Sequence, residues 1–252
     1  MSYNRAMRAH AGTLVLSALG ERMLAGYHRP EGPPGRRFPA VLFLHGFPGG
    51  EKSVDVQRAL LARGVASLAP SFLGAWGSGG EYHFTTLVAQ ARAALRALRR
   101  LDFVDPRRVA VYGFSMGAWT ALNLAALAPD LRAVVAVAPA GGPEFCGPGA
   151  RAFIARLRRP LNAPPTGVLL ADFRRALSVH DPARAVARLR VPLLLAHGDA
   201  DDVIPVAVSR HLARLASGPV RLKVWPGAGH DFLDRRPELT RLASRFLAER
   251  LR

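Results

Sequence analysis

Lysine is almost missing from this 252-residue chain: it stands only at Lys52 and Lys223, so 33 of the 35 basic residues are arginine. Acidic residues are few as well, 18 in all, which leaves a formal net charge of +17 at neutral pH. The single cysteine, Cys146, rules out an internal disulfide. With no base beside it in sequence, Cys146 reads as a small buried or surface residue rather than a reactive thiol. Long apolar runs are also wanting. The stretch Leu14-Val15-Leu16-Ser17-Ala18-Leu19 is too short, and too far from a basic region, for a signal peptide or a membrane span. A cytoplasmic protein without membrane insertion is the expectation. The chain has no P-loop, no dinucleotide fingerprint and no His/Cys cluster at metal spacing, so no cofactor and no metal are expected.

The arginines could suggest a polyanionic partner, but they are spread along the chain. Arg92, Arg96, Arg99 and Arg100 fall in one segment, Arg184, Arg188 and Arg190 in another, Arg241, Arg245 and Arg250 in a third. No run of aromatics is interleaved with them as single-strand binding requires. They read as solvated helix faces, and no specific nucleic-acid partner is expected. Preference for arginine over lysine is compatible with base composition and with heat adaptation alike. No feature of the sequence specifies an oligomeric state.

Half of the residues are hydrophobic and the mean hydropathy is +0.10, enough for a full core. Apolar runs bounded by turn residues read as strands at Leu14–Ser17, Met23–Tyr27, Pro39–Leu44, Val65–Ala69, Arg108–Tyr112, Ala133–Val137, Val191–Ala196 and Val220–Trp225. Helical patterns fall between them, at about Val54–Arg63, Thr85–Arg100 and Pro237–Arg250 among others. Continuous rather than alternating apolarity marks strands covered on both faces. This order predicts one α/β domain over residues 1–252, with a mostly parallel central sheet and helices on both faces. The interval from about Ala140 to Arg190 breaks the rhythm, with Gly141, Gly142, Pro143, Gly147, Pro148 and Gly149 before a basic helical stretch. It is too long for a plain connection and is expected to be a short helical lid over the strand ends; an insertion packed on the side is the alternative.

Gly113-Phe114-Ser115-Met116-Gly117 follows one strand and opens straight into a helical run, the strand-turn-helix setting of a nucleophile elbow. Such a turn presents a serine hydroxyl at a helix N-terminus, where free N–H groups and the helix dipole favour developing negative charge. The backbone N–H of Met116, next after the serine, is the expected first donor of an oxyanion hole. A hydroxyl is a weak nucleophile until an imidazole takes its proton and a carboxylate holds that imidazole in the correct tautomer. Two later segments could supply both: His197-Gly198-Asp199-Ala200-Asp201-Asp202, after the strand Leu193–Ala196, and Gly227-Ala228-Gly229-His230, after Trp225. Their carboxylates and imidazole would share the sheet edge with Ser115, in the chain order Ser115, Asp201, His230.

With His45-Gly46-Phe47-Pro48-Gly49 added, these motifs make the chain resemble the serine hydrolases of the α/β-hydrolase fold, from about Phe38 to the C-terminus. Within them it is most similar to dienelactone-hydrolase-like esterases and to the catalytic domains of prolyl oligopeptidases. It differs from the latter in having nothing long before the hydrolase core, and from dienelactone hydrolases proper in using serine where they use cysteine. The resemblance implies a Ser115–Asp201–His230 triad, with Asp202 in reserve and Asp199 at the strand exit. It also implies Phe47 as the second backbone oxyanion donor. His45 and His197 are expected to brace their loops, and His180 lies in the lid. His10, His28, His83 and His211 carry no motif and read as surface or packing residues. The expected activity is cleavage of a small-molecule carboxylic ester through an acyl-enzyme. A prolyl-oligopeptidase-like peptidase or aminopeptidase is the near alternative, and a non-catalytic basic binding protein the remote one. Trp76, Tyr82, Phe84, Phe145, Phe153 and Phe173 are candidates for an apolar pocket wall, or for packing.

Overall fold

The computed structural model describes residues 9–142 and 147–252, so Phe145 and Cys146 lie outside the described residues. Its strands form an eight-stranded sheet in the order β1-β2-β4-β3-β5-β6-β7-β8. β1 (His10–Ala18) and β2 (Glu21–Arg29) make an antiparallel hairpin, and β2 meets β4 (Ala66–Pro70) antiparallel. From β4 onward every pairing is parallel, through β3 (Phe38–Leu44), β5 (Val104–Phe114), β6 (Val134–Val137), β7 (Leu193–Gly198) and β8 (Val220–Trp225).

The central strands read as unbroken apolar runs because each side chain enters one of two cores, in alternation. Ala40, Leu42 and Leu44 of β3, Val109 and Val111 of β5, and Leu193 and Leu195 of β7 face one side. Val41 and Phe43, Ala110 and Tyr112, and Leu194 and Ala196 face the other. The first core is closed by α2 (Leu87–Arg100), α3 (Met116–Ala126), α6 (Pro182–Val186) and α7 (Ala207–Leu215), the second by α1 (Val54–Leu61) and α8 (Arg236–Arg250). Arg236 ties α8 to α1 through Asp55 at 2.5 Å and Glu51 at 3.2 Å.

Two boundaries differ from the sequence pattern. The hairpin is longer than its apolar stretches, because Leu19 and Gly20 both take positive φ (54° and 83°), the geometry that folds a two-residue turn between twisted strands. β5 begins at Val104, and its register against β3 shifts between Phe38 and Ala40, so Asp105–Arg108, Pro106 included, fall where the ladder is irregular.

The 140–190 interval divides by what its helices touch. α4 (Ala150–Leu157) and α5 (Thr166–Val179) pack on each other, and α5 packs on the 3-10 turn Phe84–Thr86. α6 instead joins the layer of α3 and α7 and belongs to the sheet-covering helices. No described helix is long and apolar enough to cross a membrane.

Candidate active site

The β5–α3 corner is as tight as its two glycines suggest. A Cβ on Gly113 would stand 2.2 Å from Gly117 O, and one on Gly117 would stand 2.0 Å from Leu44 O. Between them Ser115 sits at φ 55°, ψ −121°, a conformation costing a non-glycine residue on the order of 1–3 kcal/mol. Surrounding bonds hold it there: Ser115 N–H donates to Val137 O (2.8 Å), and its carbonyl accepts from Ala118 and Trp119 N–H. Ser115 is 9% exposed, at the N-terminus of α3.

Asp201 and His230 follow β7 and β8, beyond β6 along the sheet, on loops that are stitched together. Ala200 N–H donates to Ala228 O (3.1 Å), Asp199 N–H to Trp225 O (3.2 Å), and Gly227 N–H to the Asp199 carboxylate (2.7 Å). Asp199 therefore positions the histidine loop, a role that the strand-exit position alone does not disclose. Asp201 folds back over its own turn. Its Oδ1 accepts from Val203 N–H (2.9 Å) and Ile204 N–H (2.8 Å), which buries the side chain and leaves Asp202 facing the cleft.

His230 Nδ1 lies 2.8 Å from Asp201 Oδ2, and its Nε2 lies 3.2 Å from Ser115 Oγ. A carboxylate can only accept, so Nδ1 carries the proton and Nε2 presents a lone pair to the serine hydroxyl. Burial alone would raise the Asp201 pKa. Hydrogen bonds from His197, His230 and the Ile204 N–H outweigh it and hold the carboxyl well below the usual carboxylate range. The arrangement can pass the serine proton to the imidazole and stabilise the resulting imidazolium.

His45 and His197 are both bonded into their loops. His45 Nδ1–H donates to Gly46 O (2.7 Å), and Nε2 accepts from Phe72 N–H (3.0 Å), which fixes one neutral tautomer. Burial, only partly offset by the Gly46 bond, pushes its pKa down to about 4. This anchors the loop that passes Ser115, where a Cβ on Gly46 would lie 3.0 Å from Ser115 Cβ. Gly49, at φ 101°, is needed for the same close passage, since a Cβ there would stand 2.7 Å from His45 Cε1. Phe47 and Met116 consequently border the same cavity as Ser115.

That cavity, about 460 Å³, is walled by Phe84, Ile154, Phe173 and Leu177. Phe84 packs 4.9 Å from Phe173 and 5.0 Å from Phe47, centroid to centroid. Tyr82 is fully buried behind this wall, while Trp76 is 49% exposed and spends its indole N–H on Pro48 O (2.9 Å). Two residues without a sequence signal matter here. Asp172 of α5 accepts from Phe84 N–H (2.6 Å) and Thr85 Oγ1 (2.5 Å), and Ile154 of α4 reaches down to the cavity. Among the described residues no group of three or more His, Cys, Asp or Glu could hold a metal ion.

An uncharacterised protein of Mycobacterium tuberculosis is 32% identical to this chain over 236 residues, covering 90% of this chain and 75% of that protein. A monoacylglycerol lipase of Mycolicibacterium smegmatis is 57% identical over 69 residues, 26% of this chain and 24% of the lipase. Among solved structures, Est1E from Butyrivibrio proteoclasticus shares the fold with a TM-score of 0.75 at 21% identity, over 95% of this chain and 99% of its own. The model of the alpha/beta hydrolase family matches residues 41–241, and with the fold, the elbow and the strand-end loops in place, the chain belongs to that family.

Proposed function

We propose that this protein hydrolyses carboxylic esters through an acyl-enzyme on Ser115. The observation that carries the reading is the unbroken chain Ser115 Oγ–His230 Nε2 (3.2 Å) and His230 Nδ1–Asp201 Oδ2 (2.8 Å). In the forward half-reaction, Ser115 Oγ attacks the ester carbonyl while His230 takes its proton. Asp201 steadies the imidazolium, and the alcohol leaves with that proton. Water, deprotonated by His230, then releases the acid. The Met116 and Phe47 N–H groups receive the oxyanion, an interaction of a few kcal/mol for each donor. The local identity to a monoacylglycerol lipase supports ester over amide as the bond cleaved.

Ser115→Ala tests the assignment against p-nitrophenyl butyrate, with fluorophosphonate labelling alongside. Loss of turnover by about 10³-fold or more, and labelling confined to Ser115 in the wild type, are expected. Retained turnover would overturn the nucleophile. Faster cleavage of aminoacyl-p-nitroanilides than of any ester would overturn the bond.

A further inference from the structure

Ser115 borders one of two cavities that share a wall. The aromatic cavity of about 460 Å³ contains Ser115 but not His230. The neighbouring cavity, about 610 Å³, contains His230 together with Glu51, Asp202, Asp231 and Asp234. Phe47, Phe153, Arg156, Asp202 and Val203 face both, so the two are halves of one cleft. Their linings differ in charge: Glu51, Asp231 and Asp234 line only the His230 side, among Phe114, Phe232 and Leu233, whereas Phe84, Ile154, Phe173 and Leu177 line only the Ser115 side.

The chemistry assigns the halves. When the tetrahedral intermediate collapses, the bond from the acyl carbon to the alcohol oxygen breaks, and that oxygen takes the proton His230 received from Ser115. A proton passes only over hydrogen-bond reach, so the alcohol must lie on the His230 side. The acyl group stays bonded to Ser115 Oγ. Water then enters the vacated place, gives a proton to His230 and adds to the acyl carbon. The bond to Ser115 Oγ breaks, and the proton returns to the serine. This second step needs a wettable approach beside His230, which the Glu51, Asp231 and Asp234 carboxylates provide.

The aromatic half is also braced from outside. Asp172 holds Phe84 and Thr85, and the α4–α5 connection is tied down by Asn162, which donates its N–H to Gly74 O and accepts from Tyr82 N–H, each at 2.8 Å. At this volume it lies in the range of pockets for whole small molecules, roughly 300–1,000 Å³, and it far exceeds what an acetyl group fills.

Resting on the ester-hydrolase reading above, we infer that the cavity of Phe84, Ile154, Phe173 and Leu177 seats the acyl group and the acid-lined half seats the alcohol. The substrate class is then esters of a bulky apolar acid with a polar alcohol. Ethyl octanoate and octyl acetate test this directly, because they are isomers that differ only in which side of the ester bond carries the long chain. Burying the long chain against the rings rather than beside the carboxylates should raise kcat/KM for ethyl octanoate above that for octyl acetate by about tenfold or more. A smaller ratio, or its reversal, overturns the inference. Ala150, at the start of α4, also lines the aromatic half. Ala150→Trp should fill that half and reduce the ratio by about tenfold; a folding defect would lower both rates and leave the ratio unchanged, and an unchanged ratio overturns the inference. Ser115→Ala separates the two levels: if it keeps either activity, the ester-hydrolase reading itself fails.

Discussion

His197 Nε2 lies 3.2 Å from Asp201 Oδ2, the same oxygen that holds His230. Its N–H is shared with Ile204 O at 2.9 Å, and its Nδ1 accepts from the Ser209 hydroxyl at 2.7 Å. Neither His197 nor Asp201 exposes its side chain. His197→Ala would leave these buried partners unsatisfied, at about 1–3 kcal/mol for each that finds no water. We expect a loss of about 2–4 kcal/mol in urea denaturation. The fall in kcat should be smaller than for a change at Asp201, since the Val203 and Ile204 N–H groups still hold the carboxylate. A stability change under about 1 kcal/mol would sink this account.

His45 makes a second, pH-dependent prediction. Its folded pKa, about 4, lies below the ordinary value of 6.5, so between those values the unfolded chain binds the extra proton. Stability must then rise with pH across that window and fall as the solution is acidified through it. At pH 4.5 the loss relative to neutral pH should be about 2–3 kcal/mol from this group alone. Comparing denaturation of the wild type and of His45→Gln at pH 7.5 and 4.5 isolates it. The variant, less stable at neutral pH, should lose that much less on acidification. Equal losses in both proteins would refute the assignment.

Which parts of this structure are legible in the sequence follows from how strongly burial marks a residue. Val41, Val111 and Leu194 sit in strands covered on both faces, so their apolar runs are unmistakable. The β1–β2 hairpin alternates with solvent, and Leu19, 58% exposed in its turn, resembles one more strand residue. At the site, Gly113, Ser115 and Gly117 are readable because steric need restricts the residue type. Asp199, Asp201 and Asp202 are chemically identical, and only the backbone turn from Asp201 to Ile204 distinguishes which carboxylate meets His230. The hold of Asp172 on Phe84 spans 88 residues, a distance over which sequence spacing carries no information.

Glycine substitutions should separate steric need from flexibility. Gly117→Ala forces a Cβ against the Leu44 carbonyl at the end of β3 and the His45 carbonyl just beyond it, and should cost several kcal/mol or prevent folding. Gly167 lies in the first turn of α5, and a Cβ added to it would meet nothing within 4 Å. Gly167→Ala should instead stabilise by about 0.4–1 kcal/mol, through lost freedom of the unfolded chain. Thermal melts of the two variants check both signs. A soluble Gly117→Ala protein with an unchanged Tm would contradict the packing of the elbow.

Asp201→Asn probes the tautomer rather than the fold. Asp201 Oδ1 must accept from two backbone N–H groups, which directs the oxygen of an asparagine to that position. The amide nitrogen then faces His230 Nδ1 and His197 Nε2, both of which present N–H to the wild-type carboxylate. Two donors cannot share a hydrogen bond, so His230 must move its proton to Nε2, the atom that should receive the serine proton. A neutral His230 protonated at Nε2 cannot act as base toward Ser115. We therefore expect kcat on p-nitrophenyl butyrate to fall about 10³–10⁴-fold, with a parallel loss in fluorophosphonate labelling rate and a much smaller change in KM. The nitrogen-15 shifts of His230, read on the folded variant, should report the exchanged tautomer. A drop of less than about tenfold, with the exchange observed, would mean that Ser115 is activated by something other than His230.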